Sequence, residues 1–422
     1  MPEAGENVAP GTRDQRLDMF RGLALVMIFI NHVPGNVFEA YTSRNFGFSD
    51  AAEAFVLMSG IAAGLAYSSG FAAKPIWPSV LRVWARARHL YVVHLTITLI
   101  SLAIFAAGAQ WFGAYELLEK VNIPPIFAHP LEAMIGIPAL THQLGYLNIL
   151  PLYAVLMVCA PVPLFFGLRW PVAMLVISLM LWAIAGQFRL NFPNSPTSGG
   201  WFFNPLSWQL IFVIGLLSGT FMKRGIRFLP QSRVLLALAS LLLIAVLLWV
   251  KIPAVSDLGR QGLGALSKLG LPFYITWFDK TFLALPRLVH ALALAYVLAS
   301  LPIIMRVAAS PLSAPLRLLG RHGLAIFSVG TVLSLFLQAI RIRMETPELV
   351  IDSLTVGGGL GLLLLLAWTL DRAKQAKSQT SRSLSVLSEG SSMKAMTTAA
   401  HSTNMLLGTS KTNIVSVSPK AM

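Results

Sequence analysis

Charge is scarce in this sequence: 12% of its 422 residues are Asp, Glu, Lys or Arg, against 56% hydrophobic. An ordinary soluble domain carries about 25% charged residues. Half that fraction excludes a soluble globular enzyme, a disordered chain and a coiled coil. Cysteine is almost absent. The single Cys159 excludes an intramolecular disulfide framework, and its apolar surroundings at Leu156–Ala160 read as a packed thiol. Acidic residues are the rarer sign, 17 against 32 Lys and Arg, for a net charge of +15. In a soluble chain that excess suggests nucleic acid. In a chain this apolar it reflects cytoplasmic loops that collect Lys and Arg, so no nucleic-acid partner is expected. Also missing are a Walker motif, a G-x-G-x-x-G loop and Cys/His metal spacing. No internal repeat is visible, which counts against an inverted-repeat transporter.

What is present is a series of apolar runs. A helix needs about 20 mostly apolar residues to cross a bilayer. Such runs lie at 18–37, 53–70, 90–109, 144–166, 171–187, 206–222, 233–251, 283–304, 323–340 and 354–370. They read as an all-α integral membrane protein with about ten transmembrane helices. The first run ends in Asn31-His32-Val33-Pro34 with no small-residue cleavage site, so it is not a cleavable signal peptide. With the N-terminus inside, roughly two-thirds of the Lys and Arg fall on inner segments. Both termini are therefore expected in the cytoplasm. Residues 1–15 read as a disordered N-terminus, 16–372 as the transmembrane domain and 373–422 as a disordered Ser-, Thr- and Lys-rich tail. The connection 110–143 is apolar enough for a re-entrant or interfacial helix. The connection 251–282 is Gly-bearing, with Trp249, Tyr274 and Trp277 as interfacial anchors.

An ionisable residue inside a span is costly and marks function by default. The first span carries Arg16, Asp18 and Arg21, then Asn31 and His32. Eleven residues separate Arg21 from His32, which returns them to nearly one helical face about 16 Å apart along the axis. Asp18 precedes Arg21 by one turn and can pair with or orient it. The second span enters from outside with Asp50 and Glu53, then Ser59-Gly60. A carboxylate at the depth of His32 can hold a neutral imidazole as a general base. Glu53 reads equally well as a carboxylate favouring a helix N-terminus, and Ser59-Gly60 as a small-residue helix contact. His142 and Asn148 open the fourth span. Trp201, Asn204 and Gln209 combine aromatic rings with amides, as a sugar acceptor requires. Arg287 and His290 share a helical face and either line a cavity or let Arg287 snorkel. Inner Arg82, Arg86, Arg88 and Arg321 satisfy the positive-inside rule and also suit a phosphate site.

Five blocks carry a resemblance: RLDMFRGLALVMIFINHVPGNVF, GFSDAAEAFVLMSG, QLGYLNILPLYAVLM, GWFFNPLSWQLIFVIG and LGRHGLAIFSVGTVLS. The Arg-x10-His spacing of Arg21 and His32 resembles the signature of the membrane acyltransferase-three superfamily. The blocks, from about Arg16 to Leu370, resemble its OpgC family. The resemblance implies ten spans in the bacterial inner membrane. It also implies acyl transfer, most characteristically of succinyl, from cytoplasmic acyl-CoA to a periplasmic glucan. The catalytic histidine of the superfamily maps to His32 and its motif arginine to Arg21. Acyl-CoA is then a co-substrate and no group is held permanently.

On that reading His32, oriented by Glu53, deprotonates a sugar hydroxyl, and Asn31, Asn148 or a backbone N–H steadies the oxyanion. An acyl-His32 intermediate is the other route. Arg21, Arg16, Arg82, Arg86, Arg88 and Arg321 hold the CoA phosphates. Asp50, His142, Asn148, Trp201, Asn204, Gln209 and Arg287 meet the acceptor, while Asp18 and Ser59 orient. A succinyl carboxylate needs a further cation, for which Arg44, Arg287 and His142 are candidates. Acetyl transfer to another envelope polysaccharide, a glycan or lipid transporter and a non-catalytic scaffold are the rivals. The expected partners are acyl-CoA, the glycan and the bilayer, with a homo-oligomer left open.

Overall fold

The computed structural model describes residues 14–341 and 348–380; the rest of both expected termini lies outside the described residues. Among them there is no strand, only one antiparallel bridge between Pro193 and Gly200. The helices are α1 (Gln15–Asn31), α2 (Ala51–Ala72), α3 (Trp77–Phe112), α4 (Pro124–Ala128), α5 (Pro130–Gly136) and α6 (Ile149–Cys159). Then come α7 (Pro161–Arg169), α8 (Pro171–Gln187), α9 (Pro205–Lys223), α10 (Arg233–Lys251), α11 (Pro253–Lys268) and α12 (Phe273–Thr276). The last are α13 (Leu285–Ser300), α14 (Pro302–Ala309), α15 (Ala314–Arg321), α16 (Gly323–Arg341) and α17 (Leu349–Thr380).

Six of these are long and apolar enough to cross a membrane, or eight if each bent pair is one span. The pairs are α6–α7, bent by 51° before Pro161, and α13–α14, bent by 76° before Pro302. A proline lacks the N–H that would continue the helix and crowds the preceding turn. The expected count of about ten is not reached this way. The helices α1 and α8 have 17 residues each, and α1 carries Asp18 and Arg21. Membrane character shows on the surface. The α10 helix buries only Ala239 and Val246 and exposes Val234, Leu238, Leu241 and Leu248. Apolar exposure of that kind marks a face made for lipid.

Several local expectations change. The 36 residues of α3 rise about 54 Å, well beyond a bilayer core of about 30 Å. Its first turns, not a loop, therefore carry Arg82, Arg86 and Arg88. The 110–143 connection forms two short helices, α4 and α5, because its prolines start each one. The Gly-bearing 251–282 connection contains α11, which exposes most of its length and seats Gly259 against the Trp249 ring. Cys159 is exposed, not packed, at the last residue of α6. The tail boundary at 373 moves as well: helix continues to Thr380. Ala, Lys and Gln favour helix there, and Gln375 donates to Asp371 one turn earlier at 3.0 Å.

Within residues 1–367, two close helix crossings hold the fold. Gly60 and Gly64 of α2 face the carbonyls of Phe212 and Leu216 on α9, and a Cβ at either would lie 2.2 Å from them. In return Gly215 and Gly219 of α9 face the carbonyls of Leu57 and Ile61. This is the small-residue contact read from Ser59-Gly60, with helix backbones touching. The second crossing sets Gly22 of α1 on the Leu316 carbonyl and Gly320 of α15 on that of Asp18. Since backbone cannot step aside like a side chain, Gly215→Leu is expected to cost at least about 1–3 kcal/mol. A thermal melt of the purified protein in detergent checks this, and an unchanged midpoint contradicts it.

Candidate active site

The first helix stops because Pro34 cannot extend it and Gly35 turns left-handed at φ 81°. Asn36 donates its side-chain amide to the Ile30 and Val33 carbonyls at 2.9 and 2.5 Å, satisfying the helix end. His32 is the C-terminal cap of α1. Its ring lies 4.7 Å from that of Tyr146, centroid to centroid, and its Nδ1 is buried without a hydrogen-bond partner. The neighbouring Asn31 accepts from the Thr42 hydroxyl at 2.8 Å through Oδ1.

This turn is held from the far end of the chain. Gln338 Nε2 donates to the His32 carbonyl at 2.6 Å. Arg341 donates to the Gly35 carbonyl at 2.9 Å, and the Val37 N–H donates to Asp352 at 2.8 Å. Arg341 and Asp352 also pair with each other, both buried. Three bonds from α16 and α17 thus fix the backbone at the histidine and over the five residues that follow it. None of Gln338, Arg341 or Asp352 was singled out from sequence. The only signal was an arginine and an aspartate near span ends, and nothing in one sequence pairs them.

Beside this turn α2 begins in a capping box. Asp50 accepts from the Ala52 N–H at 2.8 Å, and Glu53 accepts from the Asp50 N–H at 2.9 Å. The other Glu53 oxygen accepts from Arg287 Nε at 2.7 Å and lies 2.6 Å from Nη2 in an ion pair. Both oxygens are therefore engaged away from His32, and the expected Glu53–His32 orientation is replaced by an ion pair. Asp50 receives Lys280 at 2.5 Å and Arg287 at 3.3 Å. Burial pushes its carboxyl up, but Lys280 and Arg287 outweigh this and bring it down to about 2. Asp50 thus stabilises the fold above its ordinary range near 3.8, and that contribution is lost only as pH falls through about 2. Lys280 and Asp50 both lie within electrostatic range of the His32 ring. Ser49 hydrogen-bonds His290 Nδ1 through its hydroxyl at 2.7 Å.

The arginines lie where α1 begins, α2 ends and α3 begins. Arg16 forks onto Asp14 at 3.1 and 2.8 Å. Arg21 reaches the Met58 carbonyl on α2 at 3.4 Å and packs its stem against Gly323. Arg82 donates to Ser79 at 2.9 Å, and with Arg86 it acts electrostatically on Tyr67 of α2. Arg88 is exposed on α3, and Arg321 is exposed at the end of α15, the helix packed on Gly22. Asp18 and Ser59 are buried on α1 and α2.

The amides proposed for an acceptor have internal partners. Asn204 caps α9 through the Leu206 N–H at 3.0 Å and donates to Leu190 at 2.7 Å. Gln209 joins α9 to α8 through both the hydroxyl and the carbonyl of Ser178, at 2.6 and 2.8 Å. Trp201 is buried edge-on to Phe192 with its Nε1 unpartnered. The bonds of the two amides give them a role in the fold. Asn148 stands at the start of α6 with no capping bond from its side chain. His142 is buried in the loop before it, with Nε2 unpartnered. Among the described residues, no three His, Cys, Asp or Glu converge as a metal ion requires.

No curated protein and no solved structure matches the chain. The family model described as OpgC protein matches residues 13–375, most of the 422-residue chain, and the protein therefore belongs to the OpgC family.

Proposed function

We propose that this protein is a membrane-bound O-acyltransferase of the acyltransferase-three superfamily. It moves an acyl group, succinyl in the family's characteristic reaction, from cytoplasmic acyl-CoA to a hydroxyl of a periplasmic glucan. Membership of the OpgC family supports transfer to a glucan. The observation that carries the chemistry is the buried, unpartnered Nδ1 of His32 on a turn braced by Gln338, Arg341 and Asp352. A ring nitrogen with no protein partner, on a backbone that cannot drift, suits a general base. The sugar hydroxyl gives its proton to the imidazole as its oxygen attacks the thioester carbonyl. The tetrahedral intermediate collapses, the C–S bond breaks, and the CoA thiolate leaves with the proton held by His32. Thr42 holds the Asn31 oxygen, which leaves the Asn31 amide hydrogens to meet the oxyanion.

The same reading assigns the CoA phosphates to Arg21, Arg16, Arg82, Arg86, Arg88 and Arg321. It assigns ten crossings: the eight spans, with α1 and α8 added at the 17-residue lower limit. The location is the bacterial inner membrane with both termini cytoplasmic, and acyl-CoA is used as a co-substrate. One observation favours acetyl over succinyl as the group moved. Of the three candidate cations, Arg44 faces Glu39 at 3.1 Å and Arg287 faces Glu53 and Asp50, so neither is unneutralised for a donor carboxylate, and burial holds the His142 imidazole below its ordinary range, toward the neutral form. Purified protein in nanodiscs, given glucan and either labelled succinyl-CoA or labelled acetyl-CoA, tests both points. Ester formed on the glucan from one donor names the group. No ester and no CoA release from either refutes the enzyme and favours transport.

The bracing bonds carry their own expectation. Gln338→Leu removes the donor to the His32 carbonyl and should lower kcat about tenfold, with KM for acyl-CoA little changed. Gln338→Glu, which cannot donate when ionised, should not rescue it. Steady-state kinetics distinguish this from a general loss of folded protein.

A further inference from the structure

A cavity of about 200 Å³ opens beside α2, lined by Arg44, Phe48, Ser49, Asp50, Phe278 and Arg287. His32 is not among its lining residues, but the two are neighbours. Thr42, two residues before the lining Arg44, donates its hydroxyl at 2.8 Å to Asn31, the residue before His32.

Three features of the cavity bear on what it takes. Its two lining cations, Arg44 and Arg287, and its lining carboxylate, Asp50, are each matched by a partner, Glu39, Glu53 and Lys280 standing behind the wall. Arg44 pairs with Glu39 at 3.1 Å, Lys280 with Asp50 at 2.5 Å, and Arg287 with Glu53 at 2.6 Å. A balanced set offers donors and acceptors in alternation but no net charge, so it gives a free anion little reason to enter. The walls also present two aromatic rings, Phe48 and Phe278, with centroids 4.5 Å apart. Trp249 backs both, at 5.5 and 5.8 Å. Finally, Ser49 is fixed by His290, whose ring fits only because residue 47 is glycine; a Cβ there would lie 2.2 Å from the imidazole.

Aromatic faces beside alternating charged donors and acceptors suit a pyranose, which shows C–H groups on its face and hydroxyls around its edge. The volume holds one ring and not a chain. We infer that this cavity is an anchoring subsite for one neutral hexose unit of the acceptor, next to the unit that His32 acts on. The inference rests on the glycan-acyltransferase reading. It adds where the acceptor is gripped, and by Phe48, Phe278, Arg44 and Asp50 instead of the Trp201, Asn204 and Gln209 group.

The test is calorimetric binding of a neutral gluco-oligosaccharide, with no acyl donor, to the full-length protein in nanodiscs. Phe278→Ala should weaken binding about tenfold. Arg44→Gln is the second variant, since its side chain is 45% exposed and its loss leaves the core intact. It should weaken binding several-fold. His32→Phe should bind the sugar as the parent does while transferring no acyl group. Unchanged affinity in both Phe278→Ala and Arg44→Gln overturns the subsite even if acyl transfer is found. Sugar binding that depends on these residues, without acyl transfer, keeps the subsite and refutes the enzyme reading. Succinate binding that is lost in Arg44→Gln, with no sugar binding, makes the cavity an anion site and overturns the inference.

Discussion

His32→Ala is expected to lower the rate of acyl transfer by about 100- to 10,000-fold, the usual contribution of a positioned general base. Little of that loss should come from unfolding. The bond from Gln338 goes to the His32 carbonyl, which alanine retains. The side chain gives up a ring contact with Tyr146, worth about 0.5–1.5 kcal/mol, and a buried Nδ1 that had no partner. His32→Phe keeps a ring against Tyr146 and removes only the nitrogen chemistry. Both variants should elute as the parent does on size exclusion and bind acyl-CoA. An inactive alanine variant beside an active phenylalanine variant would assign the effect to packing. Transfer retained by both would remove His32 from the mechanism, in the direct and the acyl-His32 versions alike.

The sequence was most informative where one residue type forces one local structure. Pro34-Gly35 ends α1, so His32 was legible as a residue at the end of a helix. Glu53 reads in sequence as a carboxylate favouring a helix N-terminus, and in the fold it closes a capping box with Asp50. That same local rule is why the Glu53–His32 pairing failed. A carboxylate committed to its own helix start keeps one oxygen at most, and that oxygen found Arg287, 234 residues away. Partners across such distances have no periodic signature. Lys280, Gln338 and the Arg341–Asp352 pair were missed for this reason. Asn204 and Gln209 show the opposite limit, because an amide among aromatics looks the same in sequence whether it meets a sugar or, as both do in the fold, a backbone carbonyl. Span counting worked from runs of composition, so it found the apolar segments but could not see that prolines bend two of them.

Arg287→Met is expected to destabilise the protein by about 3–5 kcal/mol, the cost of leaving one partner of a buried ion pair alone. Glu53 is wholly buried and loses the Nε donor at 2.7 Å and the Nη2 charge at 2.6 Å. Its side chain is 0% exposed, so an unpaired carboxylate there bears a large desolvation cost. Arg287→Lys should recover only part, because a single ammonium cannot supply the Nε and Nη2 fork. The contrast is Arg16→Ala. Its pair with Asp14 is 22% and 16% exposed, and its loss should cost at most about 1 kcal/mol. The decisive variant is the double, Glu53→Gln with Arg287→Met. Replacing both charges removes the orphan, so thermal melts in detergent should show the double more stable than Arg287→Met alone. If the double is as unstable as the sum of its single changes, the two side chains do not interact, and Arg287 matters through its packing or through Asp50. If Arg287→Met alone melts with the parent, water reaches Glu53 and the ion pair does not hold α13 to the start of α2.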